Sequence, residues 1–257
     1  MNETEQRRLG VPALIGVVIV YLAVIQGVGL ISTQGLDAKY GEFPDIETLL
    51  RGIWLPVGLS VLLAAGIITW LGWWRPVVSD DRPVQRWVWI VPAVVGVTIL
   101  VVFDYGNLSS IGGSFTVTLL LGSLLVGTGE ELMFRGLAVT TFRANDFSET
   151  RVALWSSLLF GAAHLSNLIV EGPGALVQVV IVSFGGYLFY LMRRVSGTIL
   201  LPILAHALWD AALFSGRAGP DPDLYPPAAL ASLCTFVLLV VLWVRRDRIE
   251  PDAASHA

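Results

Sequence analysis

The chain of 257 residues is 55% hydrophobic and only 14% charged, whereas ordinary soluble domains are about 25% charged. Its formal net charge of −4 leaves no basic stripe to neutralise phosphates, which excludes nucleic acid as a partner. Cys234 is the single cysteine, so an intramolecular disulfide and a cysteine-based zinc site are also excluded. Lipid is therefore the predicted solvent of the chain.

Long apolar stretches follow one another along the whole sequence. A helix that crosses a bilayer needs about 20 mostly apolar residues. On this basis we predict an all-α polytopic bundle, a single membrane domain over 1–257, with about eight transmembrane helices. In chain order the predicted spans are 11–33, 53–74, 87–103, 114–137, 152–170, 174–192, 197–214 and 226–244.

The basic residues predict an orientation, because cytosolic loops carry an excess of arginine and lysine. With both termini inside, 13 basic residues lie in the cytosol and only three, Lys39, Arg51 and Arg217, lie outside. The bias holds at every loop, so a reversed topology or an odd number of spans would break it. We therefore expect a multi-pass protein of the cell membrane with both ends in the cytosol.

The fourth span ends in the sequence GTGEELMFRGL. Glu131 and Arg135 are four residues apart, the spacing and order that favour a salt bridge on a helix. Glu130 points about 100° away from Glu131 on the same helix. Gly127 and Gly129 would permit another helix to approach closely. The alternative interpretation is an interfacial charge cluster without a function.

The fifth and seventh spans carry the other polar groups. In FGAAHLSN, Phe160 and His164 are one turn apart, and Asn167 follows on a similar face. In LAHALWD, His206 and Asp210 share a face. Taken singly, each histidine can also be a packing residue that is held by a hydrogen bond.

Depth in the membrane favours a functional interpretation of these groups. Counted by helix rise, Glu130, His206 and His164 lie roughly 10, 13 and 18 Å from the cytosolic ends of their spans. Three helices can therefore bring them together. Ionisable side chains inside a bilayer are costly, so such a convergence indicates a functional site.

The three motifs together resemble a group of intramembrane endopeptidases that includes the CAAX prenyl proteases and the Abi proteins of bacteriocin processing or immunity. The shared pattern is EExxxR, FxxxH and Hxxx[N/D], in this order, each in its own span of a motif-bearing core over 114–214. Asp210 stands where the CAAX enzymes usually carry Asn. The resemblance implies a water-filled cavity that opens toward the cytosol and membrane. It also implies hydrolysis of a peptide bond in a membrane-associated protein or peptide.

The same resemblance suggests a role for each residue. Glu130 is expected to activate water. The residues expected to position the reaction or stand beside it are Glu131, Arg135, His164, His206 and Asp210, with Phe160 and Asn167 in support. An ionised Asp210 cannot donate a hydrogen bond, so we expect it to accept one from His206 and fix its tautomer.

Metal dependence stays open at this point. Glu130, His164 and His206 could supply three ligands to a divalent metal such as zinc and leave a fourth position free. The HExxH pattern of two histidines on one helix face is absent. A water that is activated by Glu130 without a metal explains the same residues, so no cofactor is required.

Two other function classes compete with the protease. A proteolytically silent member of the group would act as a membrane regulatory or bacteriocin-immunity protein. A proton-coupled transporter would use the same groups as a relay, but transporters often have paired repeats, and here the polar groups crowd into one half of the chain. The bilayer and a membrane-associated substrate are the expected partners, and the sequence indicates no oligomeric state.

Overall fold

The computed structural model describes residues 7–37, 41–220 and 225–250, so the prediction for Lys39 lies outside the described residues. The described chain contains no β-strand, only two isolated bridges, Phe43 with Ala218 and Ser79 with Thr198. The helices are α1 (Val11–Ser32), α2 (Ile46–Leu49), α3 (Leu55–Leu71), α4 (Trp74–Val78), α5 (Ile90–Val102), α6 (Tyr105–Ile111), α7 (Gly113–Glu130), α8 (Val139–Ala144), α9 (Glu149–Ala163), α10 (Gly174–Ser196), α11 (Leu200–Ser215) and α12 (Ala228–Val244).

Short helical segments of other types extend these helices. A π-helix, Glu131–Ala138, joins α7 to α8, so one continuous helix of 32 residues runs from Gly113 to Ala144. It is longer than the predicted span 114–137. A 3-10 helix, His164–Ile169, extends α9. Such departures from α-helical geometry often mark functional positions.

The all-α polytopic fold is confirmed. Five described helices are long and apolar enough to cross a membrane, and the bent pair Arg86–Val102 and Tyr105–Ile111 would make a sixth. The shorter apolar helices Leu200–Ser215 and Leu233–Val244 coincide with the last two predicted spans. Each of the eight predicted spans thus coincides with a helix, while their number as crossings and their orientation stay predictions.

Apolar side chains face outward from the bundle, as expected of a protein solvated by lipid. Leu62, Val177 and Phe236 are each more than 60% exposed, whereas Glu131 and Arg135 are fully buried. This distribution is the reverse of a soluble domain, in which charged residues are almost never buried.

Two glycines set the helix spacing around the polar groups. A Cβ at Gly127 would lie 2.8 Å from the backbone N of Ala207, so α7 and α11 touch backbone to backbone. A Cβ at Gly161 would lie 2.7 Å from the carbonyl oxygen of Val179 and force α9 away from α10. Small residues at helix crossings permit this approach, and it brings α7, α9, α10 and α11 together.

One end of the bundle is closed by a buried ion-pair network, and we call it the arginine end. Asp80 lies 2.9 Å from Arg143 and 3.0 Å from Arg193. Glu149 lies 2.8 Å from Arg143 and 3.1 Å from Arg194. Arg193 and Arg194 belong to the last turn of α10 and are buried. The network therefore ties the loop before α5 to the ends of α8, α9 and α10.

We expect Asp80→Asn to destabilise the fold, because it leaves the buried Arg193 without its only charged partner among the described residues. Removing one member of a buried pair costs roughly 3–5 kcal/mol. Thermal unfolding in detergent measures the effect. The matched control is Glu47→Gln, which removes an exposed partner of Arg51 and should cost about 1 kcal/mol or less. Equal midpoints for the two variants would show that the network does not hold this end together.

Candidate active site

The centre of the site is a buried ion pair within the π-helix that follows α7. The side chains of Glu131 and Arg135 are both 0% exposed, and Arg135 Nη1 lies 3.0 Å from Glu131 Oε1. The N–H directions do not make this contact a hydrogen bond, and the guanidinium has no hydrogen-bond partner among the described residues. Its carbon instead lies 4.0 Å from the ring centroid of Phe160 and 5.3 Å from that of Phe189. Coulombic attraction and cation–π contacts therefore hold the arginine in place.

His206 on α11 connects this pair to the cavity. Its Nδ1 lies 2.8 Å from Glu131 Oε1, so the imidazole donates a hydrogen bond to the buried carboxylate. Its ring stacks on Phe189 at 4.6 Å between centroids. The other ring nitrogen, Nε2, lies 3.5 Å from Glu130 Oε2 and 3.6 Å from Asp210 Oδ2.

These distances correct the expected role of Asp210. The tautomer of His206 is fixed by Glu131, since the Asp210 oxygen lies beyond hydrogen-bond distance. The sequence pattern placed Asp210 one turn from His206, but the ring is turned so that Nδ1 meets the neighbouring helix. Asp210 and Glu130 both face Nε2 instead.

His164 lies at the junction of α9 and the 3-10 helix. Its Nδ1 lies 2.9 Å from the carbonyl oxygen of Phe160. A carbonyl oxygen can only accept, so Nδ1 donates, and Nε2 of the neutral ring is left as an acceptor. The Phe160 ring meets the rings of His164 and His206 edge to face, at 5.0 and 5.8 Å between centroids. Phe160 thus fixes both histidines and Arg135.

Asn167 belongs to a chain of carboxamides that the sequence analysis did not identify. Gln26 Nε2 donates to Asn167 Oδ1 at 3.0 Å and to Ser166 Oγ at 3.0 Å. Asn167 Nδ2 in turn donates to Gln178 Oε1 at 2.8 Å. The signal was present, since Gln26 and Gln178 are polar residues within strongly apolar spans. They come from α1 and α10, whose proximity only the tertiary structure shows.

A cavity of about 880 Å³ unites most of the predicted site. The predicted residues in its wall are Glu130, Phe160, His164, Asn167, His206 and Asp210. Glu131 and Arg135 do not line it and lie behind Glu130 and His206. The wall continues to Thr33, Phe43 and Arg217, at the end of the bundle away from the arginine end. The cavity therefore extends away from the arginine end, and its expected opening toward the cytosol stays a prediction.

The arrangement does not fit a resident metal ion. Within residues 7–37, 41–220 and 225–250, no three His, Cys, Asp or Glu side chains are grouped so that they could hold one. His164 bonds to a backbone carbonyl and has no ion pair with a described carboxylate. His206 turns Nδ1 to Glu131 and only Nε2 to the cavity. The trio Glu130, His164 and His206 is therefore not a preformed ligand set.

Comparison with known proteins gives one result for this region. Residues 112–212 match the family model of the type II CAAX prenyl endopeptidases, described as Rce1-like. This segment is similar to the Rce1-like endopeptidases. The match confirms the resemblance to the CAAX prenyl protease group and contains every predicted site residue. No curated protein and no solved structure matches the chain at a significant level.

The buried pair of Glu131 and Arg135 permits a double-mutant test. Arg135→Met should destabilise the fold by roughly 3–5 kcal/mol, because Glu131 would keep its charge in an apolar interior. Adding Glu131→Gln should recover much of that loss, because the uncompensated charge is then removed as well. Thermal midpoints of the wild type, both single variants and the double variant give the coupling free energy. Additive losses would show that the two side chains do not stabilise each other.

Proposed function

We propose that the chain is an intramembrane endopeptidase that hydrolyses a peptide bond of a membrane-associated protein or peptide. The observation that carries the proposal is the placement of Glu130 and His206 Nε2 3.5 Å apart in the wall of one cavity. The Rce1-like match supports protease chemistry at the level of the family. A carboxylate beside an imidazole can supply both the base and the acid that hydrolysis needs.

In the proposed mechanism Glu130 acts as the general base. It takes a proton from a water molecule in the cavity, and the water oxygen attacks the scissile carbonyl carbon. The carbonyl π electrons move to oxygen and give a tetrahedral oxyanion. When the C–N bond breaks, the proton on Glu130 passes to the leaving nitrogen, and the products are a carboxylic acid and an amine. Glu130 is unchanged at the end of the cycle.

His206 is proposed to stabilise the oxyanion. We propose that His206 carries a proton on each ring nitrogen, so that Nδ1 donates to Glu131 and the Nε2 proton points into the cavity between two carboxyl groups. A fixed donor aimed at developing negative charge is among the most effective catalytic devices. Glu131 holds the ring, and Arg135 compensates the charge of Glu131. Glu131 and Arg135 are therefore positioning residues, which agrees with their place behind the cavity wall.

His164 and Asp210 complete the polar wall. The free acceptor Nε2 of His164 can orient the attacking water or relay its proton. Asp210 faces the same nitrogen of His206 as Glu130 does. Three carboxyl groups share the region with Arg135 and His206, so a proton retained by Asp210 would balance the charge and leave it a donor. No step requires a metal, and a chelator should leave cleavage unchanged.

The carboxamide chain gives the cavity a surface that suits a peptide main chain. Gln26 Oε1 and Gln178 Nε2 have acceptor and donor capacity beyond the bonds described above. A peptide that enters an apolar cavity must satisfy its own N–H and C=O groups. We propose that these side chains pair with the substrate backbone near the scissile bond.

Glu130→Gln should reduce peptide hydrolysis roughly a hundredfold or more, since the base is lost while size is kept. The measurement uses a quenched library of membrane-associated peptides with protein in liposomes. Glu47→Gln, an exposed carboxylate paired with Arg51, is the matched control and should keep full activity. Equal hydrolysis by the wild type and Glu130→Gln would remove Glu130 from the mechanism. No hydrolysis by well-folded wild type across the library would favour the regulatory role.

Asp210→Asn should retain activity within severalfold of the wild type. The amide has the same shape, donates through Nδ2 without needing a proton, and occupies this position in the CAAX enzymes that the motif resembles. Asp210→Leu, which removes all polar atoms, should lose most of the activity. Complete loss in Asp210→Asn with intact thermal stability would show that the charge of Asp210 is essential.

A further inference from the structure

The cavity runs in one direction from Glu130 and His206, which we call the catalytic pair. Its wall near Glu130 is formed by Phe134, Leu188 and Phe189, and no residue of the arginine end lines it. From there it runs along α1 and α10, away from the arginine end, as far as Leu36 and Gly174. At a rise of 1.5 Å per residue, the path from Phe189 to Gly174 along α10 is roughly 22 Å.

The arginine end is closed by packed side chains as well as by ion pairs. Met133, Leu137 and Val77 are fully buried between the catalytic pair and that end. The backbone there is joined across helices, since Ile199 N donates to Val78 O at 2.9 Å and Asp80 N donates to Gly197 O at 2.9 Å. We call this packed region, residues 76–80, 135–143 and 193–199 together with Met133, the plug, and none of its residues lines the cavity.

The far end of the cavity has the opposite character. Its wall there includes the exposed Arg217 and Glu171 and the partly exposed Leu36 and Gly41. Only two described arginines, Arg51 and Arg217, belong to this end of the bundle, whereas the others, apart from Arg135 in the site, gather at the arginine end. Because arginine-rich ends stay in the cytosol, we expect the cavity's far end to be the extracytosolic one.

We propose that water and substrate reach Glu130 from the extracytosolic face of the membrane, through the passage between α1 and α10. The substrate class that follows is an extended, largely apolar peptide segment that is exposed on that face or held in the outer leaflet. Its route passes the carboxamides of Gln26 and Gln178 before Ile25 and Ile181. The substrate class rests on the proposed function, but the route itself does not.

Cysteine accessibility tests the route without any need for proteolysis. In a Cys234→Ser background, Gly185→Cys places a thiol in the cavity wall, where a Cβ meets nothing within 4 Å. Gly66→Cys is the matched control, because a Cβ there is equally free of contacts but the residue lies exposed on α3 outside the cavity wall. Gln34→Cys and Asp81→Cys, both exposed, mark the two ends. A small, membrane-impermeant thiol reagent is applied to right-side-out and inside-out vesicles.

Gly185→Cys should label from the same side as Gln34→Cys, and that side should be the outside. Gly66→Cys should label severalfold more slowly or not at all. Labelling of Gly185→Cys from the side of Asp81→Cys, or from neither side, would overturn the route. So would labelling of Gln34→Cys from the inside. A second cavity variant, Val182→Cys, keeps the test valid if Gly185→Cys fails to fold.

The peptide assay separates the route from the reaction. An impermeant quenched peptide should be cleaved by right-side-out vesicles and severalfold less by inside-out vesicles. Outside labelling of Gly185→Cys together with an absence of cleavage would uphold the route and count against the proposed function. Cleavage only by inside-out vesicles would uphold the function and overturn the route.

Discussion

The fully buried carboxylate of Glu131 is the constraint on which the site depends. An isolated charge in an apolar interior is prohibitively costly, so this oxygen must meet a cation and a donor. It meets Arg135 at 3.0 Å and His206 Nδ1 at 2.8 Å, from its own helix and from α11. The guanidinium of Arg135 in turn packs on the rings of Phe160 in α9 and Phe189 in α10. One buried charge thus fixes the relative positions of four helices.

This constraint explains why the catalytic groups differ in exposure. Glu130 lies in the same continuous helix as Glu131, but its side chain faces the cavity and is about one-fifth exposed. His206 bridges the two environments, with one nitrogen on the buried carboxylate and the other in the cavity wall. The interior ion pair therefore acts as a rigid support, and the chemistry proposed above takes place on its accessible side.

The two ends of the bundle differ in their charged side chains and in their packing. At the arginine end, charged side chains are numerous, and mutual pairing through Asp80 and Glu149 lets them pack without gaps. At the other end, described charged side chains are fewer, and the cavity wall carries the carboxamides of Gln26, Asn167 and Gln178 beside Glu171 and Arg217. Buried side chains on one side and a cavity on the other give the molecule a direction, which an access route for a substrate requires.

Much of the fold and of the site could be predicted from the order of the residues. Apolar runs long enough to cross a bilayer determined the all-α membrane bundle, because only helices satisfy their own backbone in lipid. The spacing of Glu131 and Arg135 on one helix determined their pairing, because residues four apart share a helix face. Motif order within 112–212 also sufficed to indicate the endopeptidase family.

Only the tertiary structure determined the contacts between helices. The partner of His206 Nδ1 is Glu131 instead of Asp210, because the ring orientation depends on how α11 packs on α7 at Gly127. Gln26 and Gln178 join Asn167 from helices far apart in the chain. The direction of the cavity follows from where side chains fill space and where they do not. Local sequence periodicity describes one helix at a time, so none of these features is encoded in it.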